Sequence, residues 1–131
     1  MQFEHFGINV PDPVAMADWY VTYLRMQVLR QVDGGANARW IADATGRCTV
    51  EIYHNDAAPL PVYAELDPLV FHVAFAVPDA AATRDALVAA GAKLVSDDRL
   101  EDGSHLVMLR DPWGVPLQLC QRADPLTPPV S

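Results

Sequence analysis

The chain of 131 residues carries one short motif twice, and this repeat restricts the folds that it can adopt. Residues 5–12 read HFGINVPD and residues 72–79 read HVAFAVPD, so the second copy begins 67 residues after the first (72 − 5). Histidine, valine, proline and aspartate occupy equivalent positions in both copies. With the same offset, the position equivalent to Glu51 is Gln118 (51 + 67). We therefore expect one structural module written twice, with two possible metal donors at matched positions in each copy.

Each copy has the hydrophobic pattern of a strand, a helix and three further strands. Asp12 and Pro13 suit the start of the first helix, while Asp79 suits the cap of the second and Gly91 its end. The expected elements are strands at 3–10, 26–32, 37–43 and 48–54 with a helix ending near residue 25, then strands at 70–77, 92–100, 104–110 and 115–122 with a helix ending near residue 90. The expected buried stripes are Met16, Trp19, Tyr20, Tyr23 and Leu24 in the first helix and Ala82, Ala86, Leu87 and Ala90 in the second.

The order of these elements divides the chain into two modules. We expect the first module over residues 1–54, an irregular proline-rich linker over 55–68, the second module over 69–122 and a proline-rich tail over 123–131. The length suits one α+β domain overall.

Alternation along the strands places large apolar side chains on one face and small or polar ones on the other. The apolar face is expected to cover the helices. The polar face is expected to hold His5, Gly7, Asn9, Thr49, Glu51, Tyr53, His72, Ala74, Ala76, Pro116, Gln118 and Cys120. Such a face leaves space and offers hydrogen-bonding groups, which favours a small-molecule site.

Four side chains on the polar face are possible metal ligands. If the first and fourth strands of a module are neighbours, His5 and Glu51 lie with their Cβ atoms about 5 Å apart, and His72 and Gln118 are their counterparts. Two imidazoles, one carboxylate and one amide oxygen suit a divalent ion such as Zn, Ni, Co, Mn or Fe(II). Each residue alone also suits an ordinary solvated or hydrogen-bonded role. Burying these four side chains on one face without partners costs free energy, and a bound metal ion would supply a shared partner. Their matched positions in the two copies therefore favour metal binding.

Further side chains are expected to contact a substrate. Asn9 and Tyr53 share the polar face, and we expect Trp40 and His105 to line the site with them. The counterpart of Trp40 under the 67-residue offset is Val107 (40 + 67), so this ring is specific to the first module and equally suits a position in the core.

The composition excludes several partners. Seventeen Asp and Glu residues against nine Lys and Arg residues give a net charge of −8, which disfavours nucleic acid and anionic membrane surfaces. No apolar stretch reaches the ~20 residues of a membrane span, and the first residues do not have the pattern of a secretory signal. Cys48 and Cys120 are too few for a disulfide framework. We therefore expect a cytoplasmic protein with a small-molecule substrate.

These motifs resemble those of the vicinal oxygen chelate superfamily, which includes glyoxalase I, bleomycin- and fosfomycin-resistance proteins, extradiol dioxygenases and methylmalonyl-CoA epimerase. The similarity runs from residue 3 to about residue 122, and its best markers are HFGINV at 5–10, HVAF at 72–75 and DPWG at 111–114. It implies two tandem β-α-β-β-β modules whose curved mixed sheet forms a cup-shaped site. We expect a homodimer, in which the cup is closed within one chain or between the two chains. The metal ligands that it implies are His5, Glu51, His72 and Gln118.

The resemblance implies a metal-dependent lyase or isomerase that acts on a small oxygen-chelating substrate by Lewis-acid stabilisation of an enolate-like intermediate. One position departs from glyoxalase I, which has a glutamate where this chain has Gln118. Because an amide cannot act as a general base, Glu51 is the expected proton acceptor. Two alternatives stay open: an extradiol-type Fe(II) dioxygenase that uses His5, Glu51 and His72, and a metal-free drug-binding or resistance protein of the same fold.

Overall fold

Each half of the chain folds as one strand, one helix and three further strands, which confirms the expected repeat and the α+β class. The computed structural model describes residues 1–128, without the side chain of Cys48, so residues 129–131 of the expected tail lie outside the described residues. Two compact units are present, residues 1–61 and residues 62–128. The boundary between them falls inside the segment that we expected to be the linker.

The elements of the first unit are β1 (Phe6–Asn9), α1 (Pro13–Leu24), β2 (Gln27–Gln31), β3 (Arg39–Ala42) and β4 (Cys48–Tyr53). The second unit opens with a single turn of 3-10 helix (Tyr63–Glu65). Its further elements are β5 (Val73–Ala76), α2 (Ala80–Ala89), β6 (Lys93–Arg99), β7 (His105–Arg110) and β8 (Pro116–Gln121).

A parallel strand pair joins the first and last strands of each unit. The first sheet has the order β1-β4-β3-β2, in which β1 runs parallel to β4 and the other pairs are antiparallel. The second sheet repeats this arrangement as β5-β8-β7-β6. Parallel strands need a long crossover connection, and α1 and α2 supply it directly after β1 and β5. The expected neighbourhood of the first and fourth strands is therefore confirmed.

The strands that open the two units are shorter than the sequence pattern predicted. Ladder pairing begins at Phe6 in β1 and at Val73 in β5, whereas we expected strands from residues 3 and 70. Alternation of side chains continues outside the ladder, but a strand also needs a hydrogen-bonded neighbour. As a result, His5 and His72 each lie one residue before the strand that they precede.

Both helices begin as predicted. The side chain of Asp12 accepts a hydrogen bond from the amide of Ala15, and that of Asp79 accepts one from Ala82. The longer helix, α1, has 12 residues. No helix within residues 1–128 has the length and apolar character needed to cross a bilayer.

The buried helix faces differ in part from the expected stripes. Met16, Trp19 and Tyr20 are buried in α1, but Tyr23 at its end is 48% exposed. In α2 the expected Ala82 and Ala86 are exposed.

The residues of α2 that face the sheet are Ala80, Arg84 and Leu87. Ala80 and Leu87 are buried, and the guanidinium of Arg84 pairs with Asp97 on β6. Leu87 was expected in the stripe, but an arginine interrupts the apolar pattern, which explains why the sequence indicated Ala82 and Ala86 in place of Ala80 and Arg84.

The DPWG motif forms a tight turn between β7 and β8. The carboxylate of Asp111 accepts hydrogen bonds from the amides of Trp113 and Val115, both at 2.9 Å. Gly114 has a φ of +88°, and a Cβ built on it would lie 2.7 Å from the backbone nitrogen of Ala64. The motif therefore combines an Asp-stabilised turn with a backbone approach that only glycine permits.

We predict that Gly114→Ala destabilises the protein more than Gly103→Ala. Gly103 has a similar φ of +91° but no atom within 4 Å of an added Cβ, so it serves as the matched control. The control should lose about 1–2 kcal/mol of unfolding free energy from backbone strain, and Gly114→Ala should lose at least about 1 kcal/mol more from the clash. Urea unfolding of the two variants measures the difference. Equal losses would contradict the close approach to Ala64.

Candidate functional site

A row of four side-chain positions crosses one face of the first sheet. Register pairs Gly7 with Glu51, Glu51 with Trp40, and Trp40 with Arg30. Residues opposite each other on neighbouring strands point to the same face. The buried side chains of Ile8, Ile41 and Ile52 occupy the other face. The first unit therefore has the two unlike faces that alternation predicted.

His5 and Glu51 come together at the start of this row. The Nε2 atom of His5 lies 3.1 Å from Oε2 of Glu51. A Cβ on Gly7 would lie 3.7 Å from Oε2 of Glu51 and 3.0 Å from Cε1 of Tyr53. Glycine at this position leaves the space that the Glu51 carboxylate and the Tyr53 ring occupy.

The other ring nitrogen of His5 is also engaged. Nδ1 lies 3.1 Å from Oε2 of Glu4. In the second unit, Nδ1 of His72 lies 2.7 Å from the carbonyl oxygen of Pro68. A carbonyl can only accept, so neutral His72 carries its proton on Nδ1 and has a lone pair on Nε2. Metal-binding histidines usually have this arrangement, in which the second nitrogen donates to a carboxylate or carbonyl.

The chemistry of these donors fits a divalent ion. Ligand atoms bound at about 2.0–2.2 Å lie roughly 2.9–3.4 Å apart for octahedral to tetrahedral angles. The 3.1 Å between Nε2 of His5 and Oε2 of Glu51 falls in this range. An ordinary hydrogen bond has the same length. Within residues 1–128, His, Cys, Asp and Glu side chains do not gather in groups of three that could hold a metal ion.

Gln118 lies on β8 between Ala74 of β5 and Met108 of β7. Its Oε1 accepts a hydrogen bond from the thiol of Cys120 at 3.4 Å. Burial raises the pKa of the Cys120 thiol, so the sulfur keeps its proton at neutral pH. The thiol thus orients the one neutral oxygen donor of the candidate ligand set.

Asn9 has a structural role in this fold. Its side chain is buried, donates to the carbonyls of Asn55 and Ala58, and accepts from the amide of Asn55. These hydrogen bonds fasten the loop after β4 to β1. We expected Asn9 to contact a substrate; the structure shows its amide engaged with this loop.

His105 lies on the side of the second sheet that packs on α2. It opposes Gln121, three residues from Gln118 on β8, so His105 and Gln118 point to opposite faces. The imidazole is 1% exposed, and its Nε2 lies 2.6 Å from Asp97. The hydrogen bond from His105, and then that from Arg84, lower the pKa of Asp97. We expected His105 to line the site; the structure instead places it under α2, in a partly buried network with Asp97 and Arg84.

Two residues near the candidate ligands were not anticipated. Glu4 precedes His5 and belongs to no motif that the sequence shows. Its contact with Nδ1 of His5 is therefore seen only in the structure. Arg30 lies beside Trp40 because a register shift occurs between Val28 and Arg30. A shift of this kind cannot be read from the sequence alternation.

The sequence matches the profile described as the glyoxalase/bleomycin resistance protein/dioxygenase superfamily over residues 2–119. No curated protein matches the chain. Among solved structures, the chain is similar to TnmS3, an antibiotic binding protein from Streptomyces sp. CB03234, with 18% identity, a TM-score of 0.69, and coverage of 94% of this chain and 97% of that chain.

Two further structures have similar folds. A glyoxalase family protein from Enterococcus faecalis has 23% identity and a TM-score of 0.68 and covers 92% of this chain and 97% of its own. A lactoylglutathione lyase from Agrobacterium tumefaciens has 13% identity and a TM-score of 0.65 and covers 92% of both chains. At these identities the likeness concerns the fold alone.

We predict that neutral His72 is protonated on Nδ1 in the folded, metal-free protein. Long-range proton–nitrogen NMR correlations of the ring distinguish the two tautomers. The same measurement in urea-unfolded protein, where the Pro68 contact is lost, gives the reference. A folded form protonated mainly on Nε2 would contradict the assignment.

We also predict a pH-dependent contribution of His54 to stability. Its Nδ1 lies 2.8 Å from the carbonyl oxygen of Val10 and its Nε2 2.9 Å from Asp56, and neither partner can donate. The Val10 hydrogen bond, and then that of Asp56, raise the pKa of His54 above its ordinary value of 6.5. The imidazolium therefore stabilises the fold fully below pH 6.5, and this contribution is lost as pH rises through the folded-state pKa.

NMR titration should give a His54 pKa above 6.5. The difference in unfolding free energy between the wild type and His54→Ala should shrink as pH increases. A difference that does not change with pH would show that the charged form has no special partner in the fold.

Proposed function

Because the chain belongs to the glyoxalase/bleomycin resistance protein/dioxygenase superfamily, we propose that it is a metal-dependent lyase or isomerase of the glyoxalase type. Its substrate is a small molecule with two neighbouring oxygen atoms. The observation that carries the proposal is the 3.1 Å contact between His5 and Glu51 on the polar face of the first sheet. The contact of His72 Nδ1 with the Pro68 carbonyl supports it, because this contact leaves the Nε2 lone pair of His72 for a metal.

The proposed ligands are His5 and Glu51 of the first unit and His72 and Gln118 of the second. The ion is divalent, of the group Zn, Ni, Co, Mn and Fe(II). When bound, it supplies Lewis acidity to the substrate oxygens.

Glu51 is the proposed proton acceptor. Its carboxylate is partly exposed and lies beside the space left by Gly7. Gln118 cannot take this role, because its amide has no lone pair of suitable basicity. Trp40 and Tyr53 are proposed to contact the substrate, since both share the face of Glu51. Asn9 positions the loop that follows Tyr53.

Two other activities are alternatives. His5, Glu51 and His72 have the composition of the two-histidine, one-carboxylate set of non-haem Fe(II) oxygenases, which favours a dioxygenase. The similarity to TnmS3, whose name gives it as an antibiotic binding protein, favours a binding protein without turnover.

We predict that the purified protein binds Zn, Ni, Co or Mn with about one ion per chain. Replacing His5, His72 or Glu51 with alanine should weaken binding by at least about 100-fold, because even outer-shell partners of metal ligands contribute 10–100-fold. Gln118→Ala should have a smaller effect, since a neutral amide is a weak ligand. Competition with a chromophoric chelator measures the affinities.

His54→Ala and Glu65→Gln control for the loss of a histidine and of an exposed carboxylate. Affinities equal to those of the controls, or no metal binding by the wild type, would refute the metal site. Glu51→Gln separates binding from chemistry, because it retains an oxygen ligand but no base. Turnover of the hemithioacetal of methylglyoxal and glutathione should fall by at least about 100-fold in this variant.

The same preparations distinguish the alternatives. Oxygen uptake with catechol by the Fe(II) form, without hemithioacetal turnover, would replace the proposal with the dioxygenase. Binding of an aromatic antibiotic that is unaffected by chelators, without any turnover, would replace it with the binding protein.

A further inference from the structure

From the row Glu51, Trp40 and Arg30 we infer that the first unit has an aromatic-anion subsite beside the candidate metal ligands. Trp40 and Arg30 form this subsite, and its ligand is a planar aromatic group that carries a carboxylate or a similar anion. The inference rests on the proposed function for the chelating end of the substrate. The subsite itself is defined by contacts within the first unit and can be tested without metal.

The geometry of the subsite is given by three strands. Glu51 on β4, Trp40 on β3 and Arg30 on β2 are successive partners in register. Neighbouring strands lie about 4.8 Å apart, so Glu51 and Arg30 are separated by about 10 Å across the sheet. This span matches a fused two-ring system with a donor group at each end.

An open cleft lies beside Trp40 and Arg30. Its volume is about 160 Å³, and its lining consists of Glu4, Leu29, Arg30 and Trp40. The guanidinium carbon of Arg30 lies 5.8 Å from the centre of the Trp40 ring. Trp40 is half-buried, and Leu29 is 48% exposed. A partly covered indole beside an exposed apolar side chain provides a surface for stacking.

The surroundings of Arg30 differ from those of two other arginines, whose guanidinium groups are bonded to the backbone. The guanidinium of Arg39 bonds to three backbone carbonyls and to Asp33. That of Arg110 bonds to the carbonyls of Tyr63, Leu66 and Gly114. Arg30 is exposed, and within residues 1–128 its guanidinium lies over the Trp40 ring and makes no hydrogen bond or ion pair. Its donors are therefore available to a ligand.

The charge of the subsite selects an anion. The chain has a net charge of −8, which repels anions in general, so a local cation is needed to hold one. Glu4 also borders the cleft, but its carboxylate contacts Nδ1 of His5. A cationic ligand would be repelled by the guanidinium of Arg30, which borders the same cleft. A guanidinium group can bind both oxygens of a carboxylate at once. The subsite therefore prefers a planar carboxylate to other anions.

Three bicyclic probes of similar size test the subsite in metal-free protein. They are 2-naphthoate, its neutral isostere 2-naphthamide, and the saturated anion decalin-2-carboxylate. Calorimetry gives the affinities, and the indole cross-peak of Trp40, assigned by its loss in Trp40→Phe, reports the place of binding. We expect 2-naphthoate to bind at least about tenfold more tightly than either of the others.

Arg30→Gln should abolish the preference for naphthoate over naphthamide. Arg47→Gln, which removes the same charge from an exposed arginine of the same unit, should retain it. Trp40→Leu should weaken both naphthyl probes but not the decalin. Equal binding of naphthoate and naphthamide, equal effects of the two arginine substitutions, or no shift of the Trp40 signal would each overturn the inference.

A fourth probe relates the subsite to the proposed metal site. 6,7-Dihydroxy-2-naphthoate has two neighbouring oxygens at one end and a carboxylate at the other. It should bind the metal-loaded protein more tightly than the metal-free protein, whereas 2-naphthoate should bind both alike. If metal does not bind while the naphthoate preference persists, the proposed function fails and the subsite stands. If metal binds and hemithioacetal turns over without any naphthoate preference, the subsite fails alone.

Discussion

The parallel pairing of the first and last strands in each unit is the constraint on which the rest of the structure depends. A parallel neighbour cannot be reached by a hairpin, so a helix must carry the chain across the sheet. In the first unit this pairing sets Gly7 beside Glu51 and so brings Glu51 within reach of His5. Residues 46 positions apart in the sequence (51 − 5) thereby come into contact as a candidate donor pair. A change of one residue in this register would turn Glu51 toward the helix.

Sequence reasoning recovered the parts of the fold that follow from periodicity and repetition. The repeat predicted the order of elements, and alternation predicted the polar face that holds Gly7, Glu51 and Tyr53, but it left Trp40 open between the site and the core. The predictions were wrong where a polar side chain packs between a helix and the sheet. Arg84 interrupts the buried stripe of α2, and His105 lies under that helix because Asp97 satisfies its ring. Arginine and histidine are residue types that usually lie on a surface or in a functional site. Only the contacts of Arg84 and His105 show that these two pack between α2 and the sheet.

The candidate site, like the fold, was predictable only in the parts that follow from the repeat. Matched positions predict four candidate donors, but they do not predict what each of these side chains contacts. Glu4 and Pro68 engage the two histidines through local geometry that the sequence does not record. His5 has carboxylates near both ring nitrogens, whereas Nδ1 of His72 has a neutral carbonyl. The two units are thus alike in topology and unlike in the charge around their histidines.

The hydrogen bonds of Arg110 have a consequence for dividing the protein into fragments. A second unit cut at residue 69, where its strand pattern begins, would lose the carbonyls of Tyr63 and Leu66 and leave part of the Arg110 guanidinium without acceptors. It would also remove Ala64, against which the Gly114 backbone packs. Residues 62–68 therefore belong to the folding unit of the second half. A fragment intended to fold alone has to start upstream of Tyr63, so the useful cleavage point lies near Pro61.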